Sequence, residues 1–589
     1  MGEFTFSLVE NGTQLPLTQT AHITAEHFPN GTRWVIEPVE GDERHIMLEA
    51  ELLPKNSIAV TLYTEGTNAD TEFCLSIGKQ RRAGRTIDAS WFNAESTPLS
   101  CTVEPGPEAC ADAAFYVAAG EPYNEKALLT FWGELSSADY SGDDICIRFS
   151  VKPDTCFAAQ ALLADEGEEV DMALCYPGME ALCRAGEAEN QRVNERLSRI
   201  RLESGDPYLS CGFLNSVLNL DYCRVGRGWL ESAQWWCCYW TNNYQISAAM
   251  ALGDWDLARD ALHFFGSIPE GYNSIAPTGK PLEIRCTEEG EPVRPYDGMP
   301  YYLHQLHEYI EAKGQDGLSL LNEVFDNIHQ NLLSMMHHCD PDGSGLYGFH
   351  KGCNPFLYQA DHLAIPGEGI SPSIMMAWGF RHLADDLSKL GKTEYADFYR
   401  KAANKTFGRI GELWDDNGYY LSEIDIAGDP NRAHYYTDLV FPVLYSDVPI
   451  VNKTLSLLHL LDSLVHRSEA TGLCLMQVGE FLPSLFANDN IMPVQLSEAA
   501  IALFRMGQCQ VAWELLRSCG LAFSVYTESP GSAPERFGIN GRGEANYVFG
   551  NPSAAFPYAV IAGLFGIRYQ NNGKTLRYAP AYLPDENLS

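Results

Sequence analysis

Apolar and polar residues alternate in short runs over the first part of the chain. Clear examples are residues 57–63, 127–132 and 145–151, and Gly, Pro, Asn and Asp residues separate the runs. A period of two places successive side chains on opposite faces of a strand, and turn residues between such runs are typical of an all-β sandwich. The pattern predicts a β-sandwich domain over residues 1–155, whose last strand ends near Pro153.

Beyond residue 205, apolar residues recur with the 3.6-residue period of amphipathic helices. Two helices are especially clear, over residues 371–390 and 393–414, and the link Gly391-Lys392 joins them into a hairpin. Such segments predict about twelve helices, which start near residues 207, 230, 254, 300, 317, 371, 393, 435, 450, 495, 508 and 552. Twelve helices in six hairpins favour an (α/α)6 toroid over residues 205–570. A superhelical repeat array is the alternative, although the sequence shows no fixed repeat period.

Two shorter regions complete the predicted layout. Residues 156–204 are acidic and helical in pattern, and residues 180–201 carry mixed charge on most faces, which predicts a linker helix at the domain boundary. Residues 571–589 follow the last helix and are expected to form a C-terminal tail. The predicted fold class is a multidomain β and α protein, with an N-terminal β-sandwich followed by an (α/α)6 barrel.

Composition and charge narrow the class of partner. The 589 residues are 45% apolar and 20% charged, as in ordinary globular proteins, and the formal net charge is −38. This charge repels nucleic acid and anionic membrane surfaces and disfavours polyanionic substrates. A neutral small molecule is therefore the simplest ligand to expect.

The sequence also bears on the cellular compartment. The first residues include neither a basic region nor an apolar run, which argues against a signal peptide. No stretch approaches the length of about 18 apolar residues that indicates a membrane span. The 17 cysteines have no metal-type spacing, and free thiols in a reducing compartment fit their odd number better than a disulfide framework. We therefore expect a cytoplasmic protein.

Four segments of the helical region resemble, in the same order, motifs of the six-hairpin glycosidase superfamily. Residues 340–346 read DPDGSGL and resemble the DxDGxGL turn between hairpins of glucoamylase-like and family 63 glucosidase-like enzymes. Residues 367–373 (GEGISPS) take the place of the loop before an inner helix, and residues 413–420 (LWDDNGYY) resemble the LWDxxxGYY stretch. Residues 550–558 (GNPSAAFPY) resemble the last inner helix.

A weaker resemblance points to the α-L-rhamnosidases. Residues 227–234 (RGWLESAQ) are similar to a motif of that family, but the acidic pair that precedes its glycine and tryptophan is missing here. This resemblance therefore ranks second. Both resemblances imply a carbohydrate-active enzyme on an (α/α)6 scaffold.

The first resemblance implies a general acid in a loop near the middle of the toroid and a general base shortly before the last helices. By position, Asp297 resembles the acid and Glu535 resembles the base. Glu544 is the rival for the base, and Glu528 is a third candidate. An inverting glycosidase needs one protonated and one ionised carboxyl group, about 6.5–9.5 Å apart, so that a water molecule fits between them.

Each of these carboxylates also has an ordinary structural interpretation. Asp297 stands just before a predicted helix, where a capping Asp is common, and Glu535 resembles a solvated residue of a Gly, Pro and Ser-rich loop. The rings of Tyr296 and Tyr301 would favour a protonated Asp297, whereas the helix N-terminus would favour the anion. Arg536 would keep Glu535 ionised if its side chain turned inward.

Aromatic residues and further loop acids supply candidate sugar contacts. Trp229 and Trp235 are the best candidates for a pocket in the aromatic-rich stretch 229–244, because aromatic faces suit the C–H faces of sugar rings. Core packing is the alternative, since Trp residues in this stretch also occur at i, i+4 spacing on the helix predicted near residue 230. Asp361 and Glu368 would contact sugar hydroxyls or have structural roles.

No metal or cofactor site is predicted. His304 and His307 lie one helical turn apart, but spacing indicates no further ligand. The DPDG run at 340–343 lacks the later Glu of an EF-hand loop, so a tight turn is expected there. Walker A, Rossmann and GxSxG patterns are absent from usable contexts.

The sequence thus predicts a glycoside hydrolase that acts on a neutral oligosaccharide or glycoside. Inversion follows from the resemblance, and exo-action is expected because long loops at 271–299 and 528–551 would cover one end of the toroid. The alternatives are an α-L-rhamnosidase-like hydrolase, a polysaccharide lyase, a sugar phosphorylase or epimerase, and a non-catalytic carbohydrate-binding protein. The acidic charge counts against the lyase and the phosphorylase, because both handle anions.

Overall fold

The computed structural model divides the chain into two compact units, Met1–Ile200 and Arg201–Ser589. It describes all residues except 1–3, 18–20, 29, 39–43, 54–56, 66–69, 79, 82–98, 108–110, 120–125, 143, 154, 165–168, 226, 230–236, 239–243, 269–273, 276–293, 296–297, 350–352, 355–366, 446–447, 470, 478–489, 527–530, 539–542, 546–548 and 582–589. Each unit is considered by itself below.

The first unit contains two antiparallel sheets in its described residues. Its strands are β1 (Phe4–Glu10), β2 (Thr13–Pro16), β3 (Ala21–Phe28), β4 (Gly31–Pro38), β5 (His45–Leu53), β6 (Ser57–Glu65), β7 (Thr71–Gly78), β8 (Gln80–Arg81), β9 (Leu99–Pro105), β10 (Ala113–Ala119), β11 (Lys126–Trp132), β12 (Glu134–Asp139), β13 (Asp144–Val151) and β14 (Cys156–Leu163). One sheet has the order β12-β13-β7-β1-β2, and the other has the order β3-β4-β5-β6-β14-β11-β10-β9-β8.

One apolar core joins the two sheets. Phe73 and Phe149 contribute from the smaller sheet, and Leu62, Phe131 and Phe157 contribute from the larger one. The rings of Phe149 and Phe157 stack with centroids 3.6 Å apart. Two sheets that bury their inner faces against each other make a β-sandwich, as the alternation predicted.

The sandwich extends one strand beyond the predicted boundary at residue 155. Strand β14 lies inside the larger sheet, between β6 and β11, so the helical interpretation of 156–163 is wrong. A strand in the middle of a covered sheet is buried on both faces and loses its alternating pattern. Its Ala and Leu residues then resemble a helix in sequence.

The predicted linker helix is present as α1 (Met179–Arg199). Its buried residues include Leu182, Gly186 and Val193, which fall on one face of the helix. Leu182 joins a small apolar cluster with Trp132, and Asn30 Nδ2 donates to the Gly186 carbonyl at 3.3 Å. The helix is therefore packed on the sandwich of its own unit.

The described part of the second unit contains twelve α-helices. They are α2 (Pro207–Tyr222), α3 (Gln245–Ala251), α4 (Trp255–Gly266), α5 (Gly298–Lys313), α6 (Gln315–Cys339), α7 (Ile370–Lys389), α8 (Thr393–Arg409), α9 (Tyr436–Leu444), α10 (Ile450–Ser463), α11 (Pro493–Arg505), α12 (Cys509–Leu521) and α13 (Gly550–Tyr558). Two π-helical segments, Ala522–Tyr526 and Ala559–Leu564, continue α12 and α13.

The odd-numbered helices α3 to α13 form a closed inner ring. Each contacts the next along the series, and α13 contacts α3 to complete the circle. The even-numbered helices α2 to α12 lie outside and bury one face, as α8 does with Ala396, Tyr399 and Ala403. Inner α11 is buried from Pro493 to Phe504. The arrangement confirms the (α/α)6 barrel.

The helix predicted near residue 230 begins later than expected. Cys237–Cys238 is a short strand that pairs with Ser274–Ile275, and inner helix α3 starts at Gln245. The helix predicted near residue 230 is therefore not present at Cys237–Cys238. Trp236 and Trp240 lie outside the described residues.

Connections at the two ends of the inner ring differ in length. Five of the six inner helices, α3 to α11, pass to an outer helix through a short turn, as from Lys389 of α7 to Thr393 of α8, where Gly391 has φ of 74°. That left-handed conformation suits glycine and ends the helix. Each return to the next inner helix is long, as from Gly266 to Gly298. The long connections all enter at the N-terminal ends of inner helices, here called the long-loop end.

Short strands occupy the connections of the second unit. They are β15 (Arg224–Val225), β16 (Gly228–Trp229), β17 (Cys237–Cys238), β18 (Ser274–Ile275), β19 (Arg294–Pro295), β20 (Gly348–Phe349), β21 (Cys353–Asn354), β22 (Gly367–Gly369), β23 (Trp414–Asp415), β24 (Tyr419–Tyr420), β25 (Glu423–Asp425), β26 (Pro430–Asn431), β27 (Val465–Arg467), β28 (Cys474–Met476), β29 (Asn490–Ile491), β30 (Arg536–Gly538), β31 (Gly543–Ala545), β32 (Arg568–Gln570) and β33 (Thr575–Arg577).

The described part of the predicted C-terminal tail is not a simple tail. Strands β32 and β33 form an antiparallel hairpin, and the Gly573 N–H donates to the Glu311 carbonyl of α5 at 2.6 Å. This hairpin packs against an inner helix of the barrel. Among the described residues, no helix is both long and apolar enough to cross a membrane.

The close approach of α2 and α12 gives a test of the barrel packing. A Cβ added at Gly212 would lie 2.5 Å from the Gly520 Cα, whereas a Cβ at Gly408 of α8 would meet nothing within 4 Å. Gly212→Ala should destabilise the protein by about 1–3 kcal/mol through overpacking. Gly408→Ala should stabilise it by about 0.5–1 kcal/mol through reduced backbone freedom. Urea unfolding followed by circular dichroism measures both, and equal shifts would contradict this packing.

Candidate active site

The long connections pair with one another through their short strands. Strand β17, before α3, pairs with β18, before α5, and β19 of the same connection pairs in parallel with β21, before α7. Strand β22, before α7, pairs with β25, before α9. Strand β29, before α11, pairs with β30, before α13. We call this set of paired connections the loop crown, and it covers the long-loop end of the ring.

All ten sequence-predicted site residues belong to crown connections or to the helix start that follows one. Asp297, Tyr296, Trp235 and Asp361 lie outside the described residues. Asp297 is flanked by described segments, since Arg294–Pro295 pairs with Cys353–Asn354 and Gly298 begins α5. The distance between Asp297 and Glu535 therefore stays a prediction.

Glu535 is half-buried and stands on a segment anchored at three places. Phe537 pairs with Ile491, just before α11, and the Phe549 N–H at the start of α13 donates to the Ala533 carbonyl at 2.9 Å. Asn219 Nδ2 of α2 donates to the Gly531 carbonyl at 2.9 Å. Glu535 is thus held at the starts of two neighbouring inner helices. The adjacent Arg536 side chain is only 2% exposed, so it turns inward.

The rival base, Glu544, stands at an irregularity in the neighbouring strand. Arg536 pairs with Ala545, but Phe537 pairs with Gly543, so Glu544 is the extra residue of a β-bulge. Bulges re-aim side chains and are frequent beside active sites. The backbone therefore places Glu535 directly before β30 and Glu544 in the adjacent strand β31.

Three predicted sugar contacts have other surroundings in the structure. Trp229 is 1% exposed, so its ring belongs to the core and has no free face for a sugar. Tyr301 is also buried, and its hydroxyl donates to Glu498 at 3.3 Å. The Glu368 carboxylate accepts a hydrogen bond from Ser344 Oγ at 2.6 Å, which supports the structural alternative for Glu368.

The DPDG turn is held by protein groups. The Gly345 N–H donates to Asp340 Oδ2 at 2.8 Å, and Arg409 Nη1 donates to the Ser344 carbonyl at 2.9 Å. Lys405 Nζ donates to the Gly343 carbonyl. Two cationic side chains of α8 thus bind the carbonyls of this turn. Among the described residues, no group of three or more His, Cys, Asp or Glu residues is placed to hold a metal ion.

A buried carboxylate lies at the centre of the ring, beneath the crown. Glu498, in the second turn of α11, is 1% exposed. Its Oε1 accepts from Tyr301 and Tyr445, each at 3.3 Å, and also from Tyr244. Its Oε2 accepts from Tyr436 at 3.1 Å. We call these five residues the Glu498 cluster.

The Glu498 cluster draws on four inner helices. Tyr244 caps α3, Tyr301 ends the first turn of α5, and Tyr436 and Tyr445 bound the short helix α9. Burial raises the pKa of the Glu498 carboxyl to about 7, against the lowering effect of its hydroxyl donors. Burial likewise raises the pKa values of Tyr244 and Tyr445 well above the ordinary range. The hydroxyls therefore stay protonated and donate.

Other buried polar contacts link neighbouring inner helices near the same end. Gln305 Oε1 of α5 accepts from the Ile246 and Ser247 N–H groups at 3.1 Å each, so α5 caps α3. Gln245 Nε2 of α3 donates to Asn551 Oδ1 of α13 at 2.7 Å. The Gln305 bonds satisfy backbone N–H groups at the start of α3, and the Gln245–Asn551 bond links the side chains of α3 and α13.

Asp438 makes the corresponding link between α7 and α9. Its carboxylate accepts from Ser371 Oγ, at the start of α7, and from Ser422 Oγ in the preceding connection. Burial raises the pKa of Asp438 to about 7. Together with the contacts of Gln305, Gln245 and Glu498, this link ties the starts of the inner helices into one polar network.

The histidines of α5 and α7 lie deeper in the ring. Burial lowers the pKa of His304 to about 3 and that of His382 well below its ordinary value. Both imidazoles are therefore neutral near pH 7. His307 Nδ1 lies 2.8 Å from Asp386 Oδ2, and its ring stacks on His382 with centroids 3.8 Å apart. These histidines therefore pack against one another and against Asp386 inside the ring.

Sequence reasoning missed Glu498, Asp438 and Gln305. Each is a polar residue within an apolar helical run, as Glu498 is in residues 493–504. A single acid surrounded by apolar residues in a wholly buried helix is a signal for a satisfied buried carboxylate, because burial without partners would cost several kcal/mol. Their partners lie on other helices and leave no local pattern.

Solved structures that resemble this chain share its fold at low sequence identity. A bacterial glucoamylase in complex with acarbose is 12% identical, with a TM-score of 0.60, over 95% of this chain and 88% of the glucoamylase. A putative kojibiose phosphorylase from the human microbiome is 11% identical, with a TM-score of 0.53, over 98% of this chain and 80% of that one.

A family 78 rhamnosidase from Bacillus sp. GL1 is 12% identical, with a TM-score of 0.50. The match covers 92% of this chain and 50% of the rhamnosidase. No protein-family model and no curated protein sequence matches the chain. The structural matches confirm the predicted fold, an N-terminal β-sandwich followed by an (α/α)6 barrel.

The buried state of Glu498 predicts how its contribution to stability depends on pH. Its folded pKa of about 7 exceeds the ordinary 4.5, so its contribution is complete below pH 4.5 and is lost as pH rises through 7. Glu498→Gln removes this titration. The difference in unfolding free energy between wild type and variant should therefore change by about 2 kcal/mol between about pH 5.5 and pH 8, in favour of the wild type at the lower pH.

Urea titrations of both proteins at the two pH values measure this change. Glu394→Gln, at an exposed position in the first turn of outer helix α8, is the matched control for the change from Glu to Gln. If the difference in unfolding free energy between wild type and Glu498→Gln did not change with pH, the Glu498 carboxyl group would not be protonated in the folded state as predicted.

Proposed function

We propose that this protein is an inverting, exo-acting glycoside hydrolase for a neutral oligosaccharide or glycoside. The observation that carries the proposal is the loop crown: every candidate catalytic residue belongs to a connection that enters at the same end of the inner ring. Loops gathered on one end of a rigid scaffold are the usual place for binding and catalytic residues. Asp297 is the proposed acid and Glu535 the proposed base.

The proposed reaction is a single displacement. Asp297, protonated, gives its proton to the glycosidic oxygen as the bond to the anomeric carbon breaks. Glu535, ionised, takes a proton from a water molecule whose oxygen attacks the anomeric carbon from the opposite face. The product sugar has the inverted configuration, and both carboxyl groups return to their starting states by exchange with solvent.

The anchoring of Glu535 supports its role as the base. A base that activates water must hold the water oxygen in line with the bond that breaks, and an error of about 1 Å costs about 100-fold in rate. The segment around Glu535 is attached at the starts of α11 and α13 and to α2, so its position is well determined. The buried guanidinium of Arg536 next to it favours a negative charge nearby.

The packed centre of the ring supports exo-action. Four members of the Glu498 cluster, Tyr244, Tyr301, Tyr436 and Glu498, are at most 6% exposed, so the ring is packed beneath the crown. A site closed on that side would admit the end of an oligosaccharide chain rather than its middle. The net charge of −38 supports a neutral ligand, since an anionic sugar or inorganic phosphate would be repelled over most of the surface.

Substitution of the two carboxylates tests the proposal. Asp297→Asn and Glu535→Gln should each reduce kcat on neutral p-nitrophenyl glycosides by about 100-fold or more, because each removes a proton-transfer group. Glu544→Gln is the matched control, from the adjacent strand, and should lower kcat much less. Proton NMR of the first product should show the inverted anomer.

Three outcomes would change the assignment. A larger loss for Glu544→Gln than for Glu535→Gln would move the base to the bulge residue. Turnover that requires inorganic phosphate and yields a sugar phosphate would make the protein a phosphorylase. Acarbose binding by calorimetry that persists in both variants, without turnover in the wild type, would make it a carbohydrate-binding protein.

A further inference from the structure

The Glu498 cluster concentrates more hydrogen bonds on one side chain than packing alone explains. Four hydroxyls from three inner helices converge on a carboxylate of a fourth. A buried charge or polar group is a poor way to gain stability, because apolar side chains of similar volume often pack as well or better. A fully satisfied polar cluster instead specifies one arrangement of the elements that meet in it.

The elements that meet at Glu498 lead directly to the proposed active site. Tyr301 follows the proposed acid by four residues, with the start of α5 between them. Tyr244 ends the connection that carries Trp235, and Tyr436 begins α9. The first turn of a helix is rigid. The position of Tyr301 along the ring axis therefore fixes the position of Gly298, where the loop that carries the proposed acid joins α5.

We propose that Glu498 is a positioning residue for catalysis, which holds the starts of α3, α5 and α9 at fixed heights beneath the crown. This inference rests on the proposed function. It adds to the proposed activity a residue, Glu498, that contacts neither the substrate nor the reacting atoms. The bonds from Tyr301 and Tyr445 are each 3.3 Å long, so a displacement of either helix by a few tenths of an ångström takes them beyond hydrogen-bonding distance. Glu498 therefore defines a narrow range of helix positions.

Gln305 strengthens the coupling between α3 and α5. Its side chain caps the first turn of α3 from α5, so the two helix starts move together. Tyr301 and Gln305 lie one turn apart on α5, and Gln305 Nε2 also donates to the Tyr301 carbonyl at 3.3 Å. A shift at Tyr301 is thus transmitted to α3, which follows the connection that carries Trp235, and to α5, which follows the connection that carries Asp297.

Tyr301→Phe and Tyr399→Phe form a matched pair for the test. Each removes one buried hydroxyl and one hydrogen bond, but Tyr399 lies on outer helix α8 and bonds His329 at 2.8 Å, away from the cluster. Both variants should show a similar fall in unfolding midpoint. Tyr301→Phe should lower kcat about tenfold with little change in KM, on the p-nitrophenyl glycoside with the highest turnover. Tyr399→Phe should leave kcat within about twofold.

Equal kcat values for the two variants would overturn the proposal, since Tyr301 would then act on stability alone. Glu498→Gln keeps the shape of the side chain but removes acceptor capacity, and it supplies a readout that does not need activity. Hydrogen–deuterium exchange of residues 301–306 and 246–249 should become at least about tenfold faster in this variant, while exchange in outer helix α8 stays unchanged.

The two proposals fail in distinguishable ways. Full turnover by Asp297→Asn would remove that residue as the acid, and hydrogen exchange would still decide the role of Glu498. Unchanged exchange at the starts of α3 and α5 in Glu498→Gln would overturn the positioning role, whatever the catalytic residues are. Faster exchange there together with the selective kcat loss of Tyr301→Phe would establish it.

Discussion

Six inner helices enclosed by six outer ones leave no solvent for the polar groups at their starts, and this constraint shapes the second unit. Each inner helix brings N–H groups without intrahelical partners into the interior. The chain satisfies two of them with a side chain of a neighbouring helix, since Gln305 of α5 accepts from the Ile246 and Ser247 N–H groups of α3. Burial of these polar groups would be costly without partners. Hydrogen bonds between neighbouring inner helices remove that cost and fix the positions of the helices around the ring.

The same constraint separates the two ends of the barrel. Short turns such as the one at Gly391 close one end, while long paired connections enter at the other. The polar links and the loop crown therefore lie at the same end of the inner helices. Enzymes commonly place variable loops on a rigid scaffold. The loops supply the reacting groups, and the scaffold fixes the distances between them.

Periodicity revealed most of the fold because each outer helix buries one face. The predicted starts near residues 207, 393 and 450 coincide with α2, α8 and α10. The pattern failed where burial is complete on both faces, as in β14, and at Cys237–Cys238, which form a strand before α3.

The site was less predictable than the fold. Residues in the crown were recognised by their place in the chain, but local sequence does not reveal which of them are buried, as the 1% exposure of Trp229 illustrates. The partners of Glu498 lie between 53 and 254 positions away in sequence. Contacts over such distances depend on the closed ring and cannot be read from any one segment.

Ring closure between the first and last helices has a consequence for how the protein is made. Helix α2 contacts α13, and Asn219 reaches Gly531 across 312 positions. On the ribosome, the growing chain exposes the unpaired apolar flanks of its inner helices until the final hairpin partner emerges. Contacts of such high sequence separation slow folding and prolong the exposure of apolar surface. The barrel should therefore depend on chaperones until its last inner helix, α13, has been synthesised.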